Sequence, residues 1–144
     1  MIQGLFNSGA MPVLERLVQY TGSRHQLILH NIANLSTPNF RPQDVDPAEF
    51  QKTLAQAIDQ RRQGVSQTIG PLEMRQTRHI RFAEASTQLR PDDSRQNILF
   101  HDRNNRSLEH LMKDLNRNTS AHNAALQMLK NQFDMLEKAI RERV

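Results

Sequence analysis

The last 38 residues of this chain contain neither glycine nor proline, and apolar or small side chains recur through them in alternating steps of four and three residues. This repeat is typical of a long helix that packs along a second helix, as in a coiled coil. It predicts one helix from Ser107 onward, with the Ser107 side chain as its N-cap. The predicted contact line comprises Leu108, Met112, Leu115, Thr119, His122, Leu126, Leu129, Phe133, Leu136 and Ile140.

The N-terminal part of the chain carries the same pattern from Met11 to about Leu35, which predicts a second helix with one packing face. Pro12 suits the first turn of that helix, where its missing N–H costs nothing. The predicted contact line of this helix comprises Leu14, Val18, Thr21, His25, Ile28, Ile32 and Leu35.

Polar residues interrupt both contact lines and indicate how the two helices pair. An antiparallel arrangement that places Thr21 opposite His122 keeps polar groups together, which avoids burying them against hydrocarbon. The same register sets Ile28 opposite Leu115 and leaves Leu136 and Ile140 overhanging, where they would contact a neighbouring subunit. Pairing of the two lines between subunits is the alternative.

The middle of the chain predicts one short helix and several loops. Asp46 is a capping residue, and Pro47 and Glu49 then occupy positions favoured in a first helical turn, so a helix is expected from 47 to about 62. Brief strands near 78–82 and 97–101 predict at most a small hairpin. The expected fold is therefore mainly α, with three regions (1–40, 41–106 and 107–144) that form one structural unit.

Composition limits the kind of protein this is. Only 37% of residues are apolar and none is Trp, so the core is small and the terminal helices are expected to gain order when they pack against neighbours. With no Cys, disulfides, thiolate zinc sites and a Cys nucleophile are excluded. Residues 1–10 lack the features of a cleaved signal peptide, and no apolar run has membrane-spanning length.

The segment from Asn31 to Phe40 reads N-I-A-N-L-S-T-P-N-F and comprises Asn31, Ile32, Ala33, Asn34, Leu35, Ser36, Thr37, Pro38, Asn39 and Phe40. It resembles the N-I-A-N-x-x-T-P-G-Y motif of flagellar rod and hook proteins, which likewise stands at the end of the first helix. The chain departs from that motif with Asn39 for Gly and Phe40 for Tyr. Because Asn tolerates a positive φ better than most residues, we predict that Asn39 adopts one.

Two further stretches are similar to the FlgB family of proximal-rod proteins. One is Asp44-Val45-Asp46, shortly after the motif. The other runs from Asn105 through Met112 towards Asn118 and resembles that family's N-x-V-D-L-E-x-E-M entry to its last helix. Ser107 stands where the family commonly has Asp, and both residues are good helix caps.

The resemblance implies a structural subunit and not an enzyme. It implies a protein of the bacterial flagellum basal body that is exported through the flagellar type III apparatus without cleavage and built into the periplasmic rod, where it transmits motor torque for motility. The implied partners are other copies of the chain, other rod proteins and the adapter that joins the rod to the membrane ring. No cofactor and no small-molecule substrate are implied.

The middle of the chain is basic, since residues 61–106 hold nine Arg and five acidic residues. A solvated, loop-rich segment explains this charge, but a basic helical adaptor that binds nucleic acid is the alternative function. The nine are Arg61, Arg62, Arg75, Arg78, Arg81, Arg90, Arg95, Arg103 and Arg106.

Neither the six histidines nor the acidic clusters predict a metal or catalytic site. The His residues lack a paired ligand spacing such as H-E-x-x-H, and His25 and His122 lie on the packing lines. Asp92-Asp93 and Asp44-x-Asp46 occur without a nucleophile or a phosphate-binding loop. Turn and capping roles are expected for these carboxylates.

Overall fold

The computed structural model describes residues 9–63, 72–83, 86–93 and 108–141. These ranges are mainly helical, and the long first and last helices pack together, as the repeats predict. The elements in chain order are α1 (Met11–Ala33), β1 (Gln43–Asp44), α2 (Pro47–Gln63), β2 (Ile80–Phe82), β3 (Thr87–Leu89), β4 (Asp92–Asp93) and α3 (Leu108–Arg141). Ser107 and its predicted capping role lie outside the described residues.

Helix α1 begins just after Gly9, whose φ of +62° is a conformation that glycine adopts without strain. Pro12 lies in the first turn, as predicted, and no side chain caps this end. The helix ends at Ala33, two residues before the predicted end. The Asn34 N–H donates to the carbonyl of His30 and closes the last turn.

Helix α2 begins at Pro47, as predicted from its capping sequence. The Asp46 carboxylate accepts a hydrogen bond from the Ala48 N–H at 2.9 Å, and the Asp46 carbonyl accepts from the Glu49 N–H at 3.1 Å. The Glu49 side chain points to His79. Its hydrogen bond therefore joins α2 to the segment that precedes β2.

Two small antiparallel sheets connect the helices. Strand β2 pairs with β3 in the register Ile80 to Leu89, and β1 pairs with β4 in the register Gln43 to Asp93. The strand predicted near 78–82 is present as β2. Its partner is β3, a segment that the sequence did not distinguish from a loop, and the strand predicted at 97–101 lies outside the described residues.

The core lies between α1 and the middle of the chain. Tyr20, Val45, Phe50 and Ile80 are each at most 3% exposed and form one cluster. The rings of Tyr20 and Phe50 stack with centroids 3.9 Å apart. Burial raises the pKa of the Tyr20 hydroxyl, which has no hydrogen-bond partner among the described residues. The core is small, as the composition predicts.

Helix α1 therefore has two packed faces. One face carries Tyr20 and contacts the core cluster, and the other contacts α3. The Ser23 hydroxyl donates to the Thr87 carbonyl at 2.7 Å and ties β3 to α1. The middle of the chain and α3 thus meet through α1, which positions both.

Candidate assembly surface

A polar cluster joins α1 to α3 at the two residues that the sequence placed opposite each other. His122 Nδ1 lies 2.8 Å from Thr21 Oγ1. Because the Thr21 hydroxyl donates to the Leu17 carbonyl at 2.7 Å, its oxygen accepts from an Nδ1–H of His122. The Asn118 amide donates to the Thr21 carbonyl at 2.8 Å. All three side chains are therefore hydrogen-bonded within this contact.

Asn118 is the member of this cluster that the contact lines missed. It is only 4% exposed, as buried as an apolar core residue, because its amide replaces water at the Thr21 carbonyl. Ala125, one heptad later, is 1% exposed. An amide and a methyl group do not register in an apolar repeat, so neither residue belongs to the predicted contact line.

The face of α3 that packs in the described chain is consequently rotated from the predicted line. The packed face of α3 contains some residues of the predicted contact line. It also contains neighbouring residues that the predicted line did not include. The buried or half-buried residues along it are Leu111, Leu115, Asn118, His122, Ala125, Leu129, Gln132 and Leu136.

The rest of the predicted line is more exposed. Its first residue, Leu108, is 44% exposed, and we call the exposed residues that follow it at heptad spacing the exposed line. It comprises Met112, Leu126, Phe133 and Ile140, which follow one another at seven or fourteen residues and are 41–61% exposed. Half-buried Thr119 occupies the remaining heptad position. A seven-residue repeat that is apolar at four of five positions is unusual on a solvated helix face, because it presents an apolar strip to another helix.

The predicted line on α1 is more fully covered. Leu14, Thr21 and Ile28 are buried, at 8%, 3% and 2% exposure. The remaining members, Val18, His25, Ile32 and Leu35, are half-buried. The two helices therefore differ, since α1 buries its line within the chain and α3 leaves part of its line exposed.

Asn31, the first residue of the family-like motif, acts as a clamp on the backbone of β1. Its amide nitrogen donates to the Gln43 carbonyl at 2.6 Å, and its amide oxygen accepts from the Gln43 N–H at 3.0 Å. Asn31 is 2% exposed. One side chain thus satisfies both backbone groups of Gln43 and holds the segment after the turn against α1.

The rest of the motif reverses the chain direction. Asn34 donates from its side chain to the His30 carbonyl at 2.9 Å, and the Phe40 N–H donates to the Thr37 carbonyl at 3.3 Å. Asn39 has φ of 60°, as predicted, and it follows Pro38 as the third residue of this turn, where a type II turn requires positive φ. The Phe40 ring meets the His30 ring edge to face at 5.6 Å.

An ion pair between a buried arginine and a half-buried aspartate also ties β1 to α1. Arg24, 5% exposed, donates to both oxygens of the Asp44 carboxylate at 3.1–3.3 Å. The same carboxylate accepts from the Val45 N–H at 2.8 Å. The first carboxylate of the Asp44-x-Asp46 cluster is thus an ion-pair partner, and the second caps a helix, the role expected for it.

Glu49 and His79 form a second polar contact, with Nδ1 and Oε2 2.8 Å apart. Burial opposes ionisation of Glu49, but hydrogen bonds from Thr77 and His79 outweigh it, so the pKa of Glu49 is lowered. This contact joins α2 to the loop before β2.

Four of the nine predicted basic residues, Arg75, Arg78, Arg81 and Arg90, lie exposed on and around β2 and β3. Arg61 donates to the Gly9 carbonyl at 2.9 Å, and Arg62 is exposed near the end of α2. Arg95, Arg103 and Arg106 lie outside the described residues.

Within the described ranges, no three His, Asp or Glu side chains are grouped so that they could hold a metal ion. None of the helices described is long and apolar enough to cross a membrane. Comparisons with protein-family models, with curated proteins and with solved structures found no match.

Proposed function

We propose that this chain is a structural subunit of the proximal rod of the bacterial flagellar basal body, of the FlgB type, and has no catalytic role. The exposed line on α3 is the observation that carries the proposal. A subunit that polymerises needs an apolar strip that its own fold leaves uncovered, and Met112, Leu126 and Ile140 provide one.

The motif supports the same proposal through its geometry. Asn31, Asn34 and Asn39 each perform a distinct task, as backbone clamp, helix cap and positive-φ turn residue. The first two tasks explain why such a motif has Asn at two positions of one helical turn, Asn31 and Asn34. The third explains why it has Gly or Asn directly after its proline. The departure from Gly at Asn39 leaves the turn intact.

We further propose that α1 and α3 pair antiparallel in the register predicted from the sequence. In a helix the side chain leans towards the N-terminus, and the carbonyl points towards the C-terminus. The Thr21 hydroxyl contacts His122, whereas its carbonyl contacts Asn118, four residues earlier in α3. Movement towards the C-terminus of α1 therefore corresponds to movement towards the N-terminus of α3.

Paired cysteines test this direction, because the chain has no cysteine of its own. With Thr21 opposite His122, Ile28 faces Leu115 if the helices are antiparallel and Leu129 if they are parallel. We expect Ile28→Cys with Leu115→Cys to form an intramolecular disulfide, and Ile28→Cys with Leu129→Cys to remain reduced. The opposite result would contradict the antiparallel register.

The mechanism is mechanical. In the proposed assembly, the exposed line of one subunit contacts a different surface on the next subunit, which is a heterologous contact. Repeated heterologous contacts generate an open helical assembly, unless the rotation between neighbouring subunits closes a ring. The proposed partners are other copies, other rod proteins and the adapter to the membrane ring. The proposed location is the periplasmic rod, reached through the flagellar type III apparatus.

A charge placed on the exposed line tests the function. Leu126→Glu introduces a carboxylate into the strip, and Gln127→Glu places the same group on the neighbouring, exposed position as a matched control. Each variant replaces the native gene in a motile strain, and motility and the rod content of purified basal bodies are measured. Only Leu126→Glu should abolish motility and rod recovery, with an unchanged helical circular-dichroism spectrum.

Equal motility of the Leu126 and Gln127 variants would contradict a role for the exposed line in assembly. Absence of the chain from basal bodies that still rotate would contradict the rod assignment itself.

The exposed arginines favour one competing function, an adaptor that binds nucleic acid. Arg75, Arg78, Arg81 and Arg90 place four cations around one small sheet. Phosphate contacts make the logarithm of affinity fall linearly with the logarithm of salt concentration, with a slope of about −0.9 for each phosphate neutralised. We expect duplex DNA binding to be too weak for a salt dependence to be measured. A slope near −4, as four phosphate contacts would give, would support the adaptor if substitution of these four arginines with Gln abolished it.

A further inference from the structure

A groove lies between α1 and the strand β3, on the opposite side of the core region from the exposed line. Its volume is about 610 Å³, within the range of about 300–1,000 Å³ that ligand-binding clefts have. None of the residues that line it is acidic or aromatic, and Arg90 is the charged member. The lining residues are Ser23, Gln26, Leu27, Thr87, Gln88, Leu89, Arg90 and Pro91.

The hydrogen bonds of the β2–β3 ladder show which way the backbone of Leu89 points. At the start of β3 the Ala83 N–H donates to the Ser86 carbonyl at 2.9 Å, and just past its end the Arg90 N–H donates to the His79 carbonyl at 2.7 Å. Hydrogen-bonded and non-hydrogen-bonded residue pairs alternate along an antiparallel ladder. The N–H and the carbonyl of Leu89 therefore point away from β2.

The outer edge of β3 is only partly used within the chain. The Thr87 carbonyl points the same way as the backbone of Leu89 and accepts the Ser23 hydroxyl of α1 at 2.7 Å. The Leu89 N–H and carbonyl have no hydrogen-bond partner among the residues that the structure describes. We call these two groups the open edge.

The open edge has room for one residue of an added strand. An extended segment placed beside β3 would exchange two backbone hydrogen bonds with Leu89. The contact between Ser23 and Thr87 blocks the edge towards the start of β3. Pro91, the next residue to face outwards, has no N–H to donate.

The side chains beside the open edge determine what such a segment must carry. Successive side chains of an extended segment point to opposite faces. The residue paired with Leu89 would share the face of Leu89, which packs with Leu27 against the core cluster. Its neighbours would lie on the other face, beside exposed Gln88 and Arg90. Arg81 pairs with Gln88 across the sheet and adds a second exposed cation to that face.

We propose that this groove binds a short extended segment of a partner protein in which an acidic residue stands directly next to an aliphatic one. The aliphatic residue pairs with Leu89, and the carboxylate accepts a charge-assisted hydrogen bond from Arg90. This site goes beyond the proposed rod function, and it depends neither on that function nor on the direction of α3.

A nucleic-acid strand fits the same groove less well. It would leave the two backbone groups of Leu89 without partners, and the lining offers no aromatic ring on which a base could stack. The apolar part of the lining, with Leu27 and Pro91, suits an aliphatic side chain instead.

Fluorescein-labelled synthetic peptides test the proposal on the full-length chain. The probe has the sequence Ser-Thr-Asp-Leu-Thr-Ser. Three control peptides each change one group: Lys replaces Asp, Ser replaces Leu, or N-methyl-leucine replaces Leu and removes the N–H that would bind the Leu89 carbonyl. Fluorescence anisotropy gives the affinities, and the amide NMR signal of Leu89 reports whether the peptide lies in the groove.

Two charge reversals test the part played by Arg90. Arg90→Glu reverses the charge in the groove, and Arg62→Glu makes the same change at an exposed position near the end of α2, outside the lining. We expect Arg90→Glu to weaken binding of the probe about tenfold, the factor that loss of one hydrogen bond to a charged group supports. Arg62→Glu should leave the affinity unchanged, and each control peptide should bind the native chain about tenfold more weakly than the probe.

Four results would overturn the proposal. The Asp and Lys peptides could bind equally, the two charge reversals could have equal effects, or the N-methylated peptide could bind as well as the probe. Failure of the native chain to bind the probe with a Kd below about 1 mM would have the same meaning. Displacement of the bound probe by duplex DNA would assign the groove to nucleic acid and would also reject the proposed partner.

Discussion

Replacing Asn31 with Ala removes the clamp between α1 and β1 and gives the sharpest test of the fold. The substitution leaves the N–H and the carbonyl of Gln43 without their partners, which lie 3.0 Å and 2.6 Å from the Asn31 amide. An unsatisfied buried group costs about 1–3 kcal/mol. Because Gln43 is half-buried and water reaches part of it, we expect about 2–3 kcal/mol in total.

The control is Asn34→Ala in the same helical turn. Asn34 is half-buried, and its side chain donates to the His30 carbonyl, which already accepts the Asn34 N–H. The expected loss there is about 0.5–1 kcal/mol. Urea unfolding, followed by the helical circular-dichroism signal, gives the free energy of unfolding of both variants. The comparison requires that the dependence of this free energy on urea concentration is the same in all the proteins.

Asn31→Asp adds a dependence on pH with a definite sign. The ionised carboxylate still accepts from the Gln43 N–H, but it meets the Gln43 carbonyl without a proton to donate. The protonated acid can donate there, so folding raises the pKa of this group. The stabilising contribution is therefore complete below the unfolded pKa of about 3.9 and is lost as pH rises through the folded pKa.

The deficit of Asn31→Asp relative to the native chain should consequently shrink as pH falls towards 4. If Asn31→Ala is within about 0.5 kcal/mol of the native chain, or equals Asn34→Ala, the clamp does not stabilise the fold as argued.

Three further substitutions test other contacts. Asn39→Val should lower stability by about 1–2 kcal/mol and impair motility, whereas Asn39→Gly should do neither, because a β-branched residue resists positive φ; equal behaviour would contradict the turn argument. Glu49 has a lowered pKa, so its contact with His79 stabilises above the unfolded pKa of about 4.3 and is lost as pH falls through the folded value. Glu49→Gln should therefore be less stable than the native chain at pH 7, by a deficit that shrinks as pH falls below about 4.3, and a deficit independent of pH would refute this. Tyr20→Phe removes an unpartnered buried hydroxyl and should be neutral or stabilising by up to about 1 kcal/mol in thermal unfolding; a clear loss would show that the hydroxyl has a partner.

Repeats and capping residues predicted the helices well, because both signals are local. The start of α2 at Pro47 follows from Asp46, and the positive φ of Asn39 follows from its place after proline. The Thr21 contact with His122 was also predicted. Each apolar line has a polar interruption, and only a few helix registers place these interruptions opposite each other.

Contacts that are marked neither by a repeat nor by a capping residue were not predictable, whatever their separation in the chain. Arg24 and Asp44 are twenty positions apart, and neither residue differs in the sequence from an ordinary surface charge. The packed face of α3 was only half recognised, because Asn118 is buried through a hydrogen bond to a backbone carbonyl. Strand β3 was not predicted, and its Thr87 carbonyl accepts a hydrogen bond from Ser23 of α1, a contact that no local pattern marks.

The central position of α1 also sets an order in which the contacts form. The clamp between Asn31 and Gln43 closes a loop of about twelve residues, whereas the contact between Thr21 and His122 closes one of about a hundred. Loop-closure entropy makes the longer loop costlier by about 2 kcal/mol. Among the described elements α3 is also the last in chain order, so we expect α1 and the middle of the chain to make their contacts during synthesis before the exposed line emerges.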